Sequence, residues 1–320
     1  RTIVPMIIHR SLIGTIVIAL AVVWIAAAIK VAREPVVHQP STTDTSSVSR
    51  DDIPHIDQEF LIPEKINESG TPVKPVGVPG VTARAYLVGN VKTGKIYLEK
   101  NSSRVMPVAS MSKLVTAFVA TDMFSPTTTV TVTEQSMAVP PDGSNLKPGE
   151  HFSLEEILNP LLLNSSNVAA EAIASTTNRA AFMEMMRSYA WEVGMPHSFF
   201  ADPSGINPQN AASAQDLFGL AKYLMFFRPD ILALTHVASS TIATTTDHGS
   251  HTISSTHPFV KDPRFIGGKT GRTEEAGETM MTILNLNGQP IVFVILGSRY
   301  GSREFDTRLL ITEVEPAIAP

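Results

Sequence analysis

Residues 107–114 read Pro107-Val108-Ala109-Ser110-Met111-Ser112-Lys113-Leu114. At the centre of this segment is a Ser-x-x-Lys spacing, which on a helix places Ser110 and Lys113 on one face, with their Cβ atoms about 5–6 Å apart. A serine hydroxyl is a poor nucleophile without a base, and a lysine can be that base only when it is neutral. Burial and a second nearby cation both lower a lysine pKa, and Lys269 is a candidate for that cation. Ser110 is therefore a candidate nucleophile with Lys113 as its base.

The pattern that follows predicts a helix over 110–124, because four apolar residues share one face: Leu114, Val115, Phe118 and Val119. Ser110 then lies in the first turn, where free backbone N–H groups and the helix dipole favour an anion. The alternative is an ordinary N-terminal serine followed by a solvated lysine, since this spacing alone occurs by chance in many chains.

Two further motifs follow in the chain. Ser165-Ser166-Asn167 lies in the segment Leu161-Leu162-Leu163-Asn164-Ser165-Ser166-Asn167-Val168-Ala169-Ala170, and Lys269-Thr270-Gly271 lies in Gly267-Gly268-Lys269-Thr270-Gly271-Arg272-Thr273. On their own, the serines and the asparagine could simply cap a helix. A second Lys-Thr-Gly occurs earlier in the chain, at Lys92-Thr93-Gly94. It is predicted to be a hairpin turn, because Gly94 stands where a tight turn needs a positive φ.

The three motifs in this order resemble the serine D-alanyl-D-alanine carboxypeptidases, which are low-molecular-mass penicillin-binding proteins of peptidase family S11. The resemblance spans roughly residues 80–315 and departs from the usual pattern at Ser112, Ser166 and Val168. It implies an α+β fold of the β-lactamase/D,D-peptidase type, in which an antiparallel sheet is flanked by helices and carries a helical subdomain. It also implies a reaction through an acyl-enzyme, with no metal and no cofactor.

The resemblance assigns roles to eight residues. Ser110, Lys113 and Ser165 would be catalytic, and Ser165 would pass a proton to the leaving amine. Substrate would be bound by Asn167, Lys269, Thr270, Gly271 and Arg272. In that set Lys269 and Thr270 hold the terminal carboxylate, and the N–H groups of Ser110 and Arg272 form the oxyanion hole. The family often uses a further arginine for the carboxylate, for which Arg264 is the first candidate and Arg272 the second.

The remaining pattern agrees with a sheet formed from both ends of the chain. Strands are predicted at 83–90 and 96–98, and Asn287-Gly288 predicts a hairpin between strands 279–286 and 291–297. Helices are predicted at 154–163, 167–176, 180–193, 214–227 and 302–313, the first of them opened by a capping box at Ser153.

The N-terminal region is predicted to be an export signal or anchor. Residues 11–29 are apolar and uncharged and follow Arg1 and Arg10, so residues 1–30 are expected to form a membrane anchor or signal sequence. Residues 31–80 contain seven prolines and a Ser/Thr run and are expected to be a disordered linker. The catalytic domain would then cover 81–320 and lie outside the cytoplasm, held by a single-pass anchor in the cell membrane. The resemblance implies peptidoglycan pentapeptide as its substrate and β-lactams as covalent inhibitors.

Composition limits the other possibilities. The chain has a net charge of −5, which disfavours nucleic acid as a partner, and no cysteine, which excludes disulfides and thiol catalysis.

Four other functions are alternatives to the carboxypeptidase. A D,D-endopeptidase would use the same motifs. A β-lactamase needs a glutamate after the Ser-x-Asn element, and none occurs between Glu192 and Glu274. The same scaffold could also serve as a silent wall-binding protein. A metal hydrolase would use His248, His251 and His257, which are instead expected in a solvated loop.

Overall fold

The computed structural model describes residues 77–318. The strands in this region are β1 (Ala85–Asn90), β2 (Ile96–Lys100), β3 (Met106–Pro107), β4 (Thr129–Thr131), β5 (His151–Ser153), β6 (Ala211–Ala212), β7 (Ser239–Ile242), β8 (His251–Ser254), β9 (Phe265–Thr273), β10 (Gly277–Leu286) and β11 (Gln289–Ser298). The α-helices are α1 (Ser112–Met123), α2 (Leu154–Leu162), α3 (Asn167–Ala174), α4 (Arg179–Glu192), α5 (Ala214–Phe227), α6 (Pro229–His236) and α7 (Arg303–Val314).

The main sheet is antiparallel and has the strand order β2-β1-β11-β10-β9. Strand β1 pairs with β11, so the two ends of the described chain meet in the middle of the sheet. The β10–β11 hairpin turns at Asn287 and Gly288, whose φ angles of 52° and 80° are the left-handed pair that a tight hairpin requires. The hairpin predicted from Asn-Gly is confirmed, and so is the turn at Gly94, whose φ is 80°.

Each face of the sheet is covered by helices. Leu310, Ile311 and Val314 of α7 belong to a buried cluster with Tyr86 and Phe293 of the sheet. Helix α5 packs on the opposite face against β1 and β11. Gly89 of β1 allows α5 to approach the sheet closely, since a Cβ at that position would stand 2.6 Å from the ring of Phe218 in α5.

The remaining helices form the predicted helical subdomain. Helix α1 packs against α2, α3 and α4. Helix α2 begins with the predicted capping box, in which the Ser153 hydroxyl accepts from the Glu156 N–H and the Glu156 carboxylate accepts from the Ser153 N–H. The three-residue 3₁₀ turn that precedes α1, Ala109–Met111, contacts β9, the edge strand of the sheet. The cleft between sheet edge and helices is therefore bordered by all three sequence motifs.

Two elements differ from the sequence-based expectation. The segment around His248 and His251 was expected to be a solvated loop, but β7 and β8 form a hairpin there and both histidines are buried. Helix α6 was not predicted, because its Pro229 stands at the first helical turn directly after the end of α5. Among helices in residues 77–318, none has the length and apolar character to span a bilayer. The predicted anchor (1–30) and almost all of the predicted linker (31–80) lie outside the described residues.

Candidate active site

Ser110 lies on a tight turn immediately before α1. The residue before it, Ala109, has a φ of 51°, which is uncommon for a residue with a side chain. The Ser112 hydroxyl holds this conformation by donating to the Ala109 carbonyl at 2.9 Å, and it accepts in turn from the Asn210 side-chain amide at 2.9 Å. The turn thus presents the half-buried Ser110 hydroxyl at the mouth of the cleft.

Lys113 is completely buried and contacts Ser110 directly. Its Nζ lies 2.9 Å from Ser110 Oγ, 2.9 Å from Asn167 Oδ1 and 2.6 Å from the Ser204 carbonyl oxygen. As an ammonium it has three hydrogens for these three acceptors, and as a neutral amine it has a lone pair that can take the Ser110 proton. The Ser-x-x-Lys pair is therefore placed for general-base activation of the serine.

Burial is the main reason that the pKa of Lys113 falls to about 7. Three carboxylates, those of Asp202, Asp142 and Glu171, act in the opposite direction and raise this pKa. Desolvation is the largest cause of the shift at Lys113, and the repulsion between Lys113 and Lys269 lowers the pKa of Lys269. A base with a pKa near 7 is in its neutral form for much of the time at neutral pH, which suits proton abstraction from a hydroxyl.

Ser165 and Lys269 are in direct contact, although they lie more than 100 residues apart in the chain. Lys269 Nζ donates to Ser165 Oγ at 2.8 Å and to the Thr270 carbonyl at 2.9 Å, and the lysine is buried. Burial lowers the pKa of Lys269 well below its ordinary value, and the charges of Lys113 and Arg303 lower it further. An anion bound beside Lys269 would favour its charged form.

Asp142 positions the Ser165–Asn167 motif. Ser165 has a φ of 68°, so the chain reverses sharply before α3 begins. Asp142 accepts hydrogen bonds from the backbone N–H of Asn167, from the N–H of Val168 at 3.0 Å and from the Ser166 hydroxyl at 2.8 Å. Ser166 is the N-cap residue of α3, and the Asp142 carboxylate accepts from two further N–H groups of its first turn, which holds Asn167 beside Lys113.

Gly271 brings β9 against the nucleophile turn. A Cβ at this position would stand 2.9 Å from the Ser110 nitrogen and 2.5 Å from Thr279 Oγ1, so only glycine fits. Thr270 is buried and its hydroxyl lies 3.0 Å from that of Thr256. Arg272, the next residue on the edge strand, has an exposed side chain whose guanidinium lies over the Tyr300 ring at 5.0 Å. The eight predicted site residues are thus gathered around one cleft.

This arrangement agrees with the comparisons with known proteins. The model of peptidase family S11, the D-alanyl-D-alanine carboxypeptidases, matches residues 72–300, which is more than half of the chain. This chain belongs to that family. It is therefore a serine-type peptidase of the D-alanyl-D-alanine carboxypeptidase family, as the motifs indicated.

Curated relatives of this S11 chain carry two different names. A D-alanyl-D-alanine endopeptidase of Haemophilus influenzae is 29% identical over 207 residues, covering 63% of this chain and 70% of the relative. The D-alanyl-D-alanine carboxypeptidase DacC of Escherichia coli is 25% identical over 238 residues, covering 70% of this chain and 58% of that protein. The relatives of this chain therefore include both endopeptidases and carboxypeptidases.

Solved structures show the same fold. A D-alanyl-D-alanine carboxypeptidase from Mycobacterium tuberculosis superposes with a TM-score of 0.70 at 23% identity, covering 78% of this chain and 97% of that one. The Streptomyces K15 DD-transpeptidase gives 0.68 at 24% identity, covering 76% of this chain and all of that one. The predicted α+β fold of the D,D-peptidase type is confirmed.

Arg264 is not at the active site of this S11 peptidase. Its guanidinium pairs with Asp262 at 2.8 Å and with Glu315 at 3.1 Å, so the expectation that it reads the substrate carboxylate is wrong. The arginine that does approach the motif is Arg303, which donates to the Gly271 carbonyl at 3.2 Å. Arg303 comes 32 residues after Gly271 and opens α7, so no local pattern in the sequence connects the two.

The histidines that suggested a metal hydrolase have other partners. His251 Nε2 lies 2.9 Å from Glu150 Oε1, His248 Nε2 lies 3.5 Å from Glu156 Oε1, and His257 Nε2 lies 3.0 Å from the Met281 carbonyl oxygen. Burial lowers the pKa of His257 to about 3, so it is neutral. Within residues 77–318 no group of three or more His, Asp or Glu side chains is placed to hold a metal ion.

Proposed function

We propose that this S11 peptidase removes the terminal D-alanine from peptidoglycan stem peptides through an acyl-enzyme on Ser110. The observation that carries the proposal is the 2.9 Å contact between Ser110 Oγ and a fully buried Lys113 whose pKa is lowered to about 7. A neutral amine at hydrogen-bond distance from a hydroxyl is the activation that a serine nucleophile needs.

The acylation step follows from this geometry. Lys113 takes the Ser110 proton while the serine oxygen attacks the carbonyl carbon of the D-Ala–D-Ala bond. The N–H groups of Ser110 and Arg272 bind the oxyanion of the tetrahedral intermediate. The C–N bond then breaks as Ser165 gives its proton to the departing amine, and Lys269, 2.8 Å from that hydroxyl, restores the proton. Water hydrolyses the ester in a second step: its oxygen attacks the acyl carbonyl, and one of its protons returns to the Ser110 oxygen as the ester bond breaks. Lys113 releases to solvent the proton that it took from Ser110, and Lys269 regains one from solvent, so both lysines return to their starting states.

A cationic group of residues is available for the terminal carboxylate. Lys269 and Thr270 border the cleft, and Arg303 reaches the same strand through its bond to the Gly271 carbonyl. Carboxylates are bound well by arginine and lysine donors in such partly desolvated sites. We include Arg303 in the carboxylate site in place of Arg264.

Endopeptidase activity on crosslinks is the second candidate, because relatives named D-alanyl-D-alanine endopeptidase from Haemophilus influenzae and Pseudomonas aeruginosa are 29% and 27% identical to this chain. The two are separated by incubating the full chain with a monomeric pentapeptide and with a crosslinked dimer, and measuring free D-alanine and new monomer. We expect D-alanine release from the monomer to be the faster reaction. Cleavage of the dimer alone would reverse the assignment.

We further propose that β-lactams acylate Ser110 and leave slowly, because no glutamate lies between Glu192 and Glu274 to activate a deacylating water. A Glu-x-x-Leu-Asn pattern of the kind found in β-lactamases begins at Glu155, but it precedes Ser165 in the chain, and it lies in α2, whose capping box uses Glu156. Rapid penicillin turnover by the purified protein would contradict this.

For localisation we propose a single-pass anchor in residues 1–30 with the peptidase domain outside the cytoplasm. The uncharged apolar run 11–29 and the proline-rich stretch after it support this proposal. Alkaline extraction of membranes from cells that express the full chain tests it. The protein should stay in the membrane pellet, and its complete release would refute an anchor.

A further inference from the structure

The loop over residues 202–207 packs directly against the turn that carries the nucleophile. Gly205 has a φ of 85°, and a Cβ at that position would stand 2.0 Å from the Ala109 carbonyl oxygen. From α1, the Thr116 hydroxyl donates to the Pro203 carbonyl at 2.6 Å. The loop is therefore held on two sides of the site, by the nucleophile turn and by the helix that follows it.

Asp202 folds this loop. It is 8% exposed, and its Oδ1 accepts from the Ser204 N–H at 2.7 Å, the Ser204 hydroxyl at 2.8 Å and the Gly205 N–H at 2.6 Å. Its Oδ2 accepts from the Asn207 N–H. A carboxylate has about four acceptor sites, so these four donors occupy it and the carboxylate serves the backbone of the loop.

The Ser204 carbonyl is thereby directed at the base. It accepts from Lys113 Nζ at 2.6 Å, a shorter contact than those of the same nitrogen to Asn167 Oδ1 and Ser110 Oγ, both at 2.9 Å. The carbonyl and amide oxygens can only accept hydrogen bonds, whereas the Ser110 hydroxyl can also donate one.

This difference fixes the direction of the lone pair when Lys113 is neutral. A neutral amine has two N–H bonds and one lone pair. The two oxygens that can only accept take both N–H bonds, which leaves the lone pair for the Ser110 hydroxyl proton. Without the Ser204 carbonyl, an N–H bond would compete for Ser110 Oγ and the amine could turn its lone pair away.

The charge of Asp202 acts on the same amine. Burial lowers the pKa of Lys113 to about 7, and the Asp202 carboxylate is the largest of the influences that raise this pKa, ahead of Asp142 and Glu171. The neighbouring cation is Lys269 of β9, and the repulsion between the two lysines lowers the pKa of Lys269. Loss of the Asp202 charge would therefore lower the pKa of Lys113 further.

From this geometry we propose that Asp202 is a positioning residue for the acylation step. It acts through the Ser204 carbonyl, which holds the Lys113 amine with its lone pair on Ser110. This role rests on the proposed function, since it concerns the proton transfer of the same reaction.

Two substitutions separate the charge of Asp202 from the fold of its loop. Asp202→Asn keeps an Oδ1 acceptor for the N–H groups of residues 204 and 205 but removes the negative charge, whereas Asp202→Ala removes both. The measurement is the second-order rate at which a fluorescent penicillin labels the full chain between pH 5 and 9. Unfolding in urea establishes that each variant is folded.

We expect the acid side of the profile to move to lower pH in Asp202→Asn. A lower pKa leaves a larger fraction of the Lys113 amine neutral in acid. The ratio of the rate at pH 6 to the rate at pH 9, about one tenth in the wild type, should become at least about threefold larger. Asp202→Ala should show the same shift and also label at least about tenfold more slowly at pH 9, because the lone pair is no longer held.

Asp306→Asn is the matched control. Asp306 is also buried, and it accepts from the N–H and the hydroxyl of Thr82, both at 2.8 Å. It belongs to α7 and holds Thr82 instead of the 202–207 loop. The control should lose stability without any change in the pH dependence of labelling.

The outcomes separate this role from a purely structural one. If the ratio of the two rates in Asp202→Asn equals that of the wild type and of Asp306→Asn, the inference fails. Wild-type labelling of Asp202→Ala at pH 9 would also overturn it, because the Ser204 carbonyl would then be dispensable. If Asp202→Ala does not fold, the profile of Asp202→Asn alone decides. Absence of labelling in the wild type at every pH would instead remove the proposed function itself.

Discussion

Replacing Gly271 by alanine tests whether the contact between β9 and the nucleophile turn is needed for catalysis. The added Cβ would stand 2.5 Å from Thr279 Oγ1, 2.9 Å from the Ser110 nitrogen and 3.0 Å from the Val108 carbonyl oxygen, against ordinary contact at 3.4 Å and beyond. Relief of these contacts requires movements of about 0.4 to 0.9 Å. The strand must therefore move away from Ser110.

That movement separates the two N–H groups proposed to form the oxyanion hole. Loss of one such donor typically lowers the rate by about 10²–10³. Overpacking of a close contact typically destabilises a fold by about 1–3 kcal/mol. We therefore expect Gly271→Ala to stay folded but to acylate with penicillin at least about 100-fold more slowly than the wild type.

The assay is the second-order rate of labelling by a fluorescent penicillin, with urea unfolding to measure stability. Gly249→Ala is the matched control, because its nearest atom is 3.8 Å from the added Cβ. Thr279→Ala combined with Gly271→Ala removes the tightest contact but leaves the one to Ser110, so labelling should remain slow. Labelling of Gly271→Ala within twofold of the wild-type rate would refute the close-contact argument.

Two further outcomes follow from the site. Lys113 must be neutral to accept the Ser110 proton, and its pKa is lowered to about 7. The labelling rate should therefore rise about tenfold per pH unit below pH 7 and level off above it. A rate independent of pH from 5 to 9 would contradict this. Asp142→Ala removes the acceptor of two N–H groups in the first turn of α3 and of the Ser166 hydroxyl, and it should lower the free energy of unfolding by about 1–2 kcal/mol and slow labelling through Asn167. Unfolding in urea and the same labelling assay measure both effects, and an unchanged protein would show that Asp142 is dispensable.

Much of the fold could be predicted because its signals are local. The Asn-Gly turn, the capping box at Ser153 and the apolar face of α1 each lie within a few residues of the element they specify. The hairpin of β7 and β8 was missed because its Ser, Thr and His residues look solvated. In the structure the side chains of His251 and Ile253 are buried, while those of Thr252 and Ser254 between and after them are exposed. The His251 ring contacts Phe152, which lies about a hundred residues earlier in the chain.

The site residues that could not be predicted are those whose partners are distant in the chain. The Ser204 carbonyl meets Lys113 from 91 residues away, and Asp142 reaches Asn167 across 25 residues of chain. Arg303 was missed in favour of Arg264, because the family pattern has this arginine before the Lys-Thr-Gly motif, whereas Arg303 follows the motif by more than 30 residues. The sheet instead brings the start of α7 to that motif and turns Arg264 toward Asp262 and Glu315.

The central claim is that one hydroxyl, that of Ser110, attacks the substrate carbonyl, and intact mass spectrometry after incubation with benzylpenicillin tests it most directly. We expect a single added penicilloyl mass that maps by peptide sequencing to Ser110, and its loss in Ser110→Ala. An adduct on Ser165, or an adduct that survives in folded Ser110→Ala, would contradict the account.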